Sequence, residues 1–186
     1  GNPVLMLCGI GGGVGAALLG YQKFAHVKKR VAIWLDPWSD YDNAGYQLIQ
    51  SLMAIASGGV LGVGLGLGSP TTIPVYHTDF IFSVIGEELG LVGCLLTLAL
   101  LTAIILRCLY VARHAKTRLE GYACLGVASV IIFQVIINVG MCLFVMPVIG
   151  LTLPFISYGG SSLVMLFACM GLVSGVHGRA KPDWLR

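Results

Sequence analysis

The side chains able to do chemistry are few in this chain, and they are clustered. Residues 75–90 read VYHTDFIFSVIGEELG, and the run that follows is apolar as far as Leu106. Asp79, Glu87 and Glu88 therefore stand at or inside the start of a segment that reads as a membrane-spanning helix. A carboxylate at the bilayer centre costs ~2.5–3.5 kcal/mol on insertion scales, so acids placed here face protein or water. With a helix running from about Asp79, the residues Asp79, Ser83 and Glu87 recur at i, i+4 and i+8 and share a face. His77 and Thr78 precede it, and Thr78 is a candidate cap. Glu87 and Glu88 can alternatively be structural, each paired with a basic or amide group that holds the bundle together.

A second polar stretch is PVIGLTLPFISYGGSSL, residues 147–163. Pro154 suits the first turn of a last span. Ser157, Tyr158, Gly159, Gly160, Ser161 and Ser162 then fall early in that helix, where small residues admit a close neighbour and a helix N-terminus favours anions. Gln134 and Asn138 are polar inside the preceding span, able to bond across helices or to line a cavity. Together these groups would suit an enzyme acting on a lipid-linked polar substrate, or a transporter.

The elements that must position them follow from composition. The 186 residues are 57% hydrophobic and 10% charged, with a mean hydropathy of +0.91. Soluble domains carry about 25% charged residues, so the solvent here is a bilayer. The expected fold is all-α, a polytopic helical bundle with spans at about 3–20, 80–106, 121–146 and 152–177 and a large outer loop, 21–79. The first span is short and Gly-rich (GIGGGVG), suited to close packing or to a kink. Within the loop, 44–57 reads as an amphipathic helix at the interface or re-entering the membrane, with Asn43 as its cap. Its apolar face is Leu48, Ile49, Leu52, Ile55 and Ala56, with Gln47, Gln50 and Ser51 opposite. Trp34, Trp38, Tyr41 and Tyr46 suit an aromatic belt. The segment GGVLGVGLGLGSP is no dinucleotide fingerprint, because Pro70 rather than a helix follows it.

The net charge of +3 is carried by basic clusters at Lys23–Arg30, Arg107–Arg118 and Arg179–Arg186. None is interleaved with aromatics in a way that suggests nucleic acid, so no nucleic-acid partner is expected and membrane lipids are the expected neighbours. Basic residues in the short 107–118 loop put it, and the C-terminus, in the cytoplasm, with 143–152 and 21–79 outside. Lys28, Lys29 and Arg30 then fall on the outer face, against that rule. The six cysteines lack CxxC spacing and read as small hydrophobes, and no metal ligands of the chain's own are expected. A start of GNPVLML, with no initiator Met or basic leader, reads as lacking a signal peptide and as part of a longer protein.

The blocks DPWSDYDNAGYQLIQSLMAIASGG, HTDFIFSVIGEELG, NVGM and GLTLPFISYGGSSL resemble the RodA/FtsW family of shape, elongation, division and sporulation proteins, in family order over about 31–170. The resemblance implies the C-terminal part of a ten-helix bundle in the bacterial cytoplasmic membrane. It implies a peptidoglycan glycosyltransferase that polymerises lipid II, the undecaprenyl-pyrophosphate-linked disaccharide peptide, beside a class B penicillin-binding transpeptidase. On it, Asp79 matches the essential acid, Glu87 and Glu88 the acidic pair, and Gly159–Ser162 the GGSS block. Val75-Tyr76 departs from the family's glutamate–alanine pair. Asp79 would then be the general base, or orient the attacking sugar hydroxyl. The leaving pyrophosphate calls for positive charge, from Lys28–Arg30, a helix N-terminus near Ser157, or a divalent cation such as Mg or Mn. A lipid II flippase and a non-catalytic scaffold for the transpeptidase are the alternatives.

Overall fold

The computed structural model describes residues 3–40, 44–69, 73 and 75–180. Among these residues the regular structure is helical. Six α-helices follow in order: α1 (Pro3–Lys23), α2 (Ala25–Leu35), α3 (Ala44–Gly58), α4 (Ile81–Arg113), α5 (Arg118–Cys142) and α6 (Gly160–Ala180), with a 3-10 turn at Pro37–Asp40. The chain divides into two compact units, Gly1–Tyr46 and Gln47–Arg186.

In the first unit, α1 is one unbroken helix ending where Phe24 turns extended. Its glycines are not packing points: a Cβ at Gly9, Gly11, Gly12, Gly13 or Gly15 would meet nothing within 4 Å. The helix α2 was not anticipated, because the charges of Lys28-Lys29-Arg30 dominate a segment whose apolar residues are few. It closes on a turn in which the Trp38 amide donates to Asp36 Oδ1 (3.2 Å). Lys29 pairs with Asp40 at 3.4 Å. Of the proposed aromatic belt, Trp38 is exposed and Trp34 and Tyr46 half-buried; Tyr41 and the cap residue Asn43 lie outside the described residues.

In the second unit α4, α5 and α6 are each long and apolar enough to cross a membrane. Leu95, Leu96, Leu100, Val130, Phe133, Ile136, Val164, Met165 and Phe167 are all exposed, an apolar surface suited to hydrocarbon or to further apolar helices. The helices hold together through two clusters. One is Cys108, Val111, Cys124, Ala128, Val173 and Val176, where all three helices meet. The other includes Ile73, Phe80, Phe82, Leu101, Cys142 and Leu153 and lies beneath the Asp79 end. Burying a side chain such as Phe80 contributes about 2–3 kcal/mol, so the residue next to Asp79 is also the anchor of its loop. The six cysteines are free thiols, four of them buried.

Three features differ from the sequence expectation. The helix α4 runs to Arg113 and is interrupted at Gly90 (φ 64°, ψ −162°), a conformation essentially confined to glycine. The interruption frees backbone groups, and the glycine-rich segment takes them up. Val63 and Gly64 amides donate to the carbonyls of Glu87 and Glu88 (2.9 and 3.1 Å). In return the Leu91 and Val92 amides donate to Gly59 and Val60 carbonyls (3.0 and 3.2 Å). A non-helical segment within apolar surroundings is tolerated because its polar groups are paired in this way.

The helix α3 packs through a face rotated from the expected one. Leu48, Ser51, Ala54 and Gly58 are buried, while Leu52 and Ala56 are exposed. The reason is polar: Ser51 Oγ lies 2.6 Å from Ser83 Oγ and donates to the Cys142 carbonyl at 3.2 Å. Hydrogen bonding makes this serine a core residue. Finally, α6 begins at Gly160 rather than near residue 152, and Pro154 is buried in a turn ahead of it.

Candidate active site

Three loops meet at one end of the second unit: 73–80 before α4, 143–153 after α5, and 154–159 before α6. Asp79 lies on the first. It precedes the helix rather than belonging to it; α4 starts at Ile81, its N-cap is Phe80, and no side chain caps it. Thr78 is not the cap: its hydroxyl donates to the Val75 carbonyl (3.2 Å). That carbonyl also accepts the Thr78 and Asp79 amides (3.2 and 3.3 Å), closing a tight turn.

The turn is strained. Val75 has φ 59°, and the other described non-glycine residues with positive φ are Phe144 and Phe155, at 62° and 64°. One falls on each of the three loops. For β-branched and bulky residues this is costly and persists only where surrounding structure enforces it.

Enforcement comes from side chains aimed at the main chain. Asn138, fully buried in α5, donates through Nδ2 to the carbonyls of Asp79 (2.9 Å) and Leu151 (2.6 Å). The buried Ser157 donates to the Thr78 carbonyl (2.6 Å) and accepts the Leu153 amide (2.7 Å). The Tyr158 amide donates to the His77 carbonyl (2.8 Å), and the Tyr158 ring meets the His77 ring edge-on at 5.9 Å. Successive carbonyls at His77, Thr78 and Asp79 are thus each gripped from elsewhere in the unit. That leaves the Asp79 carboxylate half-exposed, with Oδ2 beside Gly150: a Cβ there would sit 3.3 Å away.

The expected shared face of Asp79, Ser83 and Glu87 is not formed. Ser83 is taken by Ser51. Glu87 is buried, and its Oε1 accepts the Ser69 amide at 2.9 Å, while Oε2 has no hydrogen-bond partner among the described residues. Glu88 is half-buried and contributes its carbonyl to Gly64. The GGSS block is partly brought in. Ser157 and Tyr158 grip the Asp79 loop, Gly159 precedes α6, and Ser162 lies 3.3 Å from Thr152 Oγ1. Gly160 and Ser161 are exposed on the first turn of α6. Lys28, Lys29 and Arg30 belong to α2 in the first unit, where Lys29 pairs with Asp40.

The sequence offers Asn138 as a cross-helix or cavity group; the structure has it grip two loops instead. An amide in the middle of an apolar span was the available signal. Gln134, one turn earlier, lines a groove between α5 and α6 together with Ser162. Among the described residues no three His, Cys, Asp or Glu side chains converge as metal ligands.

A half-exposed acid on a loop whose main chain is held by Asn138, Ser157 and Tyr158, at one end of a membrane bundle, is what the comparisons bear on. A family model described as "Cell cycle protein", named for FtsW, RodA and SpoVE, matches residues 4–181. The chain belongs to that family.

Among curated FtsW/RodA relatives, the chain is 42% identical over 166 residues to the peptidoglycan glycosyltransferase RodA of Mycobacterium tuberculosis, covering 89% of this chain and 35% of that protein. It is 43% identical over 157 residues to the peptidoglycan glycosyltransferase MrdB of Escherichia coli, covering 83% and 42% respectively. The chain thus spans well under half the length of these relatives. Among solved structures it superposes with a TM-score of 0.71 and 36% identity on a chain of a peptidoglycan synthase complex that coordinates polymerization and crosslinking, covering 94% of this chain and 49% of that one. A mutant of the rod shape determining protein RodA from Thermus thermophilus gives a TM-score of 0.56 at 38% identity, over 73% and 41% of the two chains.

Proposed function

We propose that this chain is the C-terminal part of a peptidoglycan glycosyltransferase that polymerises lipid II at the outer face of the bacterial cytoplasmic membrane. One observation carries the reading: Asp79 is a half-exposed acid on a turn whose successive carbonyls are bonded by Tyr158, Ser157 and Asn138. The names of its FtsW/RodA relatives supply the reaction class.

In this reaction a sugar hydroxyl on one lipid II attacks the anomeric carbon of another. A C–O bond forms as the bond to undecaprenyl pyrophosphate breaks, and the hydroxyl proton must leave. Asp79 accepts that proton, a role worth about 10²–10⁴-fold. The fixed loop keeps the carboxylate's position through the reaction, so little reorganisation is needed. His77, Thr78 and the Gly159–Ser162 segment are the adjoining groups for substrate, with α6's first turn offering amides to the departing pyrophosphate. Lys28, Lys29 and Arg30 are further candidates for that anion.

The basic end of α4, α5 and α6 is cytoplasmic on this reading, which sets Asp79 outside. The partner is a class B penicillin-binding transpeptidase, in keeping with the synthase complex on which the chain superposes.

The test is polymerisation of purified lipid II by the full-length protein in detergent. Wild type makes glycan strands, and Asp79→Asn and Asp79→Ala lose at least about 100-fold in turnover with unchanged expression and melting. Undiminished strand synthesis by either variant removes the assignment. A flippase would give no glycan product in detergent, where there is no second compartment.

A further inference from the structure

The end of the second unit away from Asp79 carries a charge imbalance that the proposed reaction does not use. Between residues 89 and 180 the cations are Arg107, Arg113, Lys116, Arg118 and Arg179, against Glu120 alone. All lie in the last part of α4, the turn to α5, the first turn of α5 or the end of α6. Three of these groups are engaged. Arg179 pairs with Glu120 at 2.9 Å, while Arg107 lies 3.0 Å from His177 Nε2 and stacks over the Tyr110 ring. Lys116 and Arg118 are exposed, and neither is in a salt bridge among the described residues.

These two cations line a cleft of about 300 Å³ with Thr117, Gly121, Tyr122 and Leu125. Its walls differ in chemistry along their depth. At the mouth are the two cations and the N-terminus of α5, where the Thr117 hydroxyl takes the Glu120 amide (3.2 Å). The first amides of a helix lack intrahelical partners and carry partial positive charge. Further along α5, Tyr122 and Leu125 present exposed rings and methyls, both on a helix long enough to span the membrane. Gly121 lets the start of α5 lie close against the end of α4 at the floor of the cleft: a Cβ there would lie 3.1 Å from the Ala112 carbonyl.

We propose that this cleft binds the headgroup of an anionic phospholipid. Lys116 and Arg118 hold the phosphate beside the first turn of α5, and the acyl chains run along Tyr122 and Leu125. A free phosphate would use only the mouth. A lipid uses both walls, and the boundary between them falls where a membrane-spanning helix begins, at the level of headgroups. Basic pockets between spans are a recurrent form of lipid recognition.

The test uses the purified protein in nanodiscs of phosphatidylcholine mixed with phosphatidylglycerol, with retained lipid counted by native mass spectrometry. Wild type retains phosphatidylglycerol selectively. Each cation near the surface is worth about fivefold, so Lys116→Gln/Arg118→Gln loses roughly 20-fold in that selectivity. Arg113→Gln, a cation at the same end outside the cleft, keeps it. Lys116→Gln alone, in an exposed turn, gives about a fivefold loss and serves if the double variant does not fold.

An equal loss in Arg113→Gln means a diffuse field rather than a site, and overturns the proposal. So does equal retention of the two lipids by wild type, or displacement of the lipid by millimolar inorganic phosphate.

Discussion

Asn138 and Asp79 are joined through the main chain: the Asn138 amide bonds the Asp79 carbonyl and, with the same nitrogen, the carbonyl of Leu151. One buried side chain therefore fixes the acid's own loop and the loop facing it. Asn138→Ala leaves two carbonyls short of a donor at a cost of about 2–3 kcal/mol. The expected outcome is a lower melting temperature together with a larger fall in turnover than in lipid II binding. Stability loss alone, with normal turnover per folded molecule, would show that Asn138 supports the bundle without serving the acid.

Ser157 makes the matching connection from the third loop, donating to Thr78 and accepting from Leu153. Ser157→Ala should cost about 1–3 kcal/mol and reduce glycan synthesis. Ser161→Ala, at an exposed position in the first turn of α6, should be close to silent in stability; thermal melts of the two variants side by side make the comparison.

Gly150 has φ 81° and lies against Asp79 Oδ2. Gly150→Ala forces a Cβ to within 3.3 Å of that oxygen in a backbone region alanine avoids. Misplacing a reacting group by this little costs about 10–100-fold in rate. The expected signature is a reduced kcat with KM nearly unchanged, measured on lipid II in detergent.

Gly90 tests the fold rather than the site. A Cβ there would collide with the Gly62 amide and the Val60 carbonyl, in a conformation closed to other residues. Gly90→Ala should destabilise by roughly 2–4 kcal/mol, detected as loss of monodisperse protein after extraction. Unaltered melting would mean that the two segments separate at little cost.

Glu87 separates two readings of the intramembrane acids. Glu87→Gln keeps an oxygen for the Ser69 amide and should be nearly neutral, whereas Glu87→Leu removes it at about 1–3 kcal/mol. A large loss of turnover in the Gln variant, with melting intact, would instead give this acid a part in the chemistry.

The bundle was legible in the sequence because bilayer spans are written as long apolar runs, and α4, α5 and α6 are such runs. Their ends were less so. Pro154 reads as a helix start, but tertiary bonds from Ser157 and Tyr158 hold the chain irregular until Gly160. Ser51 reads as a solvent-facing residue, yet a hydroxyl partner 32 residues away in Ser83 makes it core. Gly90 was hidden among the apolar residues of α4, since a single glycine there is tolerated and the pairing that gives it meaning comes from residues 59–64. Asp79 was found because charge at the edge of a span is conspicuous. The residues that hold it were found late because they act on main-chain carbonyls, which no sequence pattern displays.

The pairing of residues 59–64 with the interruption in α4 also bears on biosynthesis. The glycine-rich segment leaves the ribosome before the carbonyls of Glu87 and Glu88 that receive its amides. Until those arrive, its unpaired backbone is better solvated by water than by lipid. The pairing can therefore close only after the start of α4 has been made, with the earlier segment folding back onto the later one.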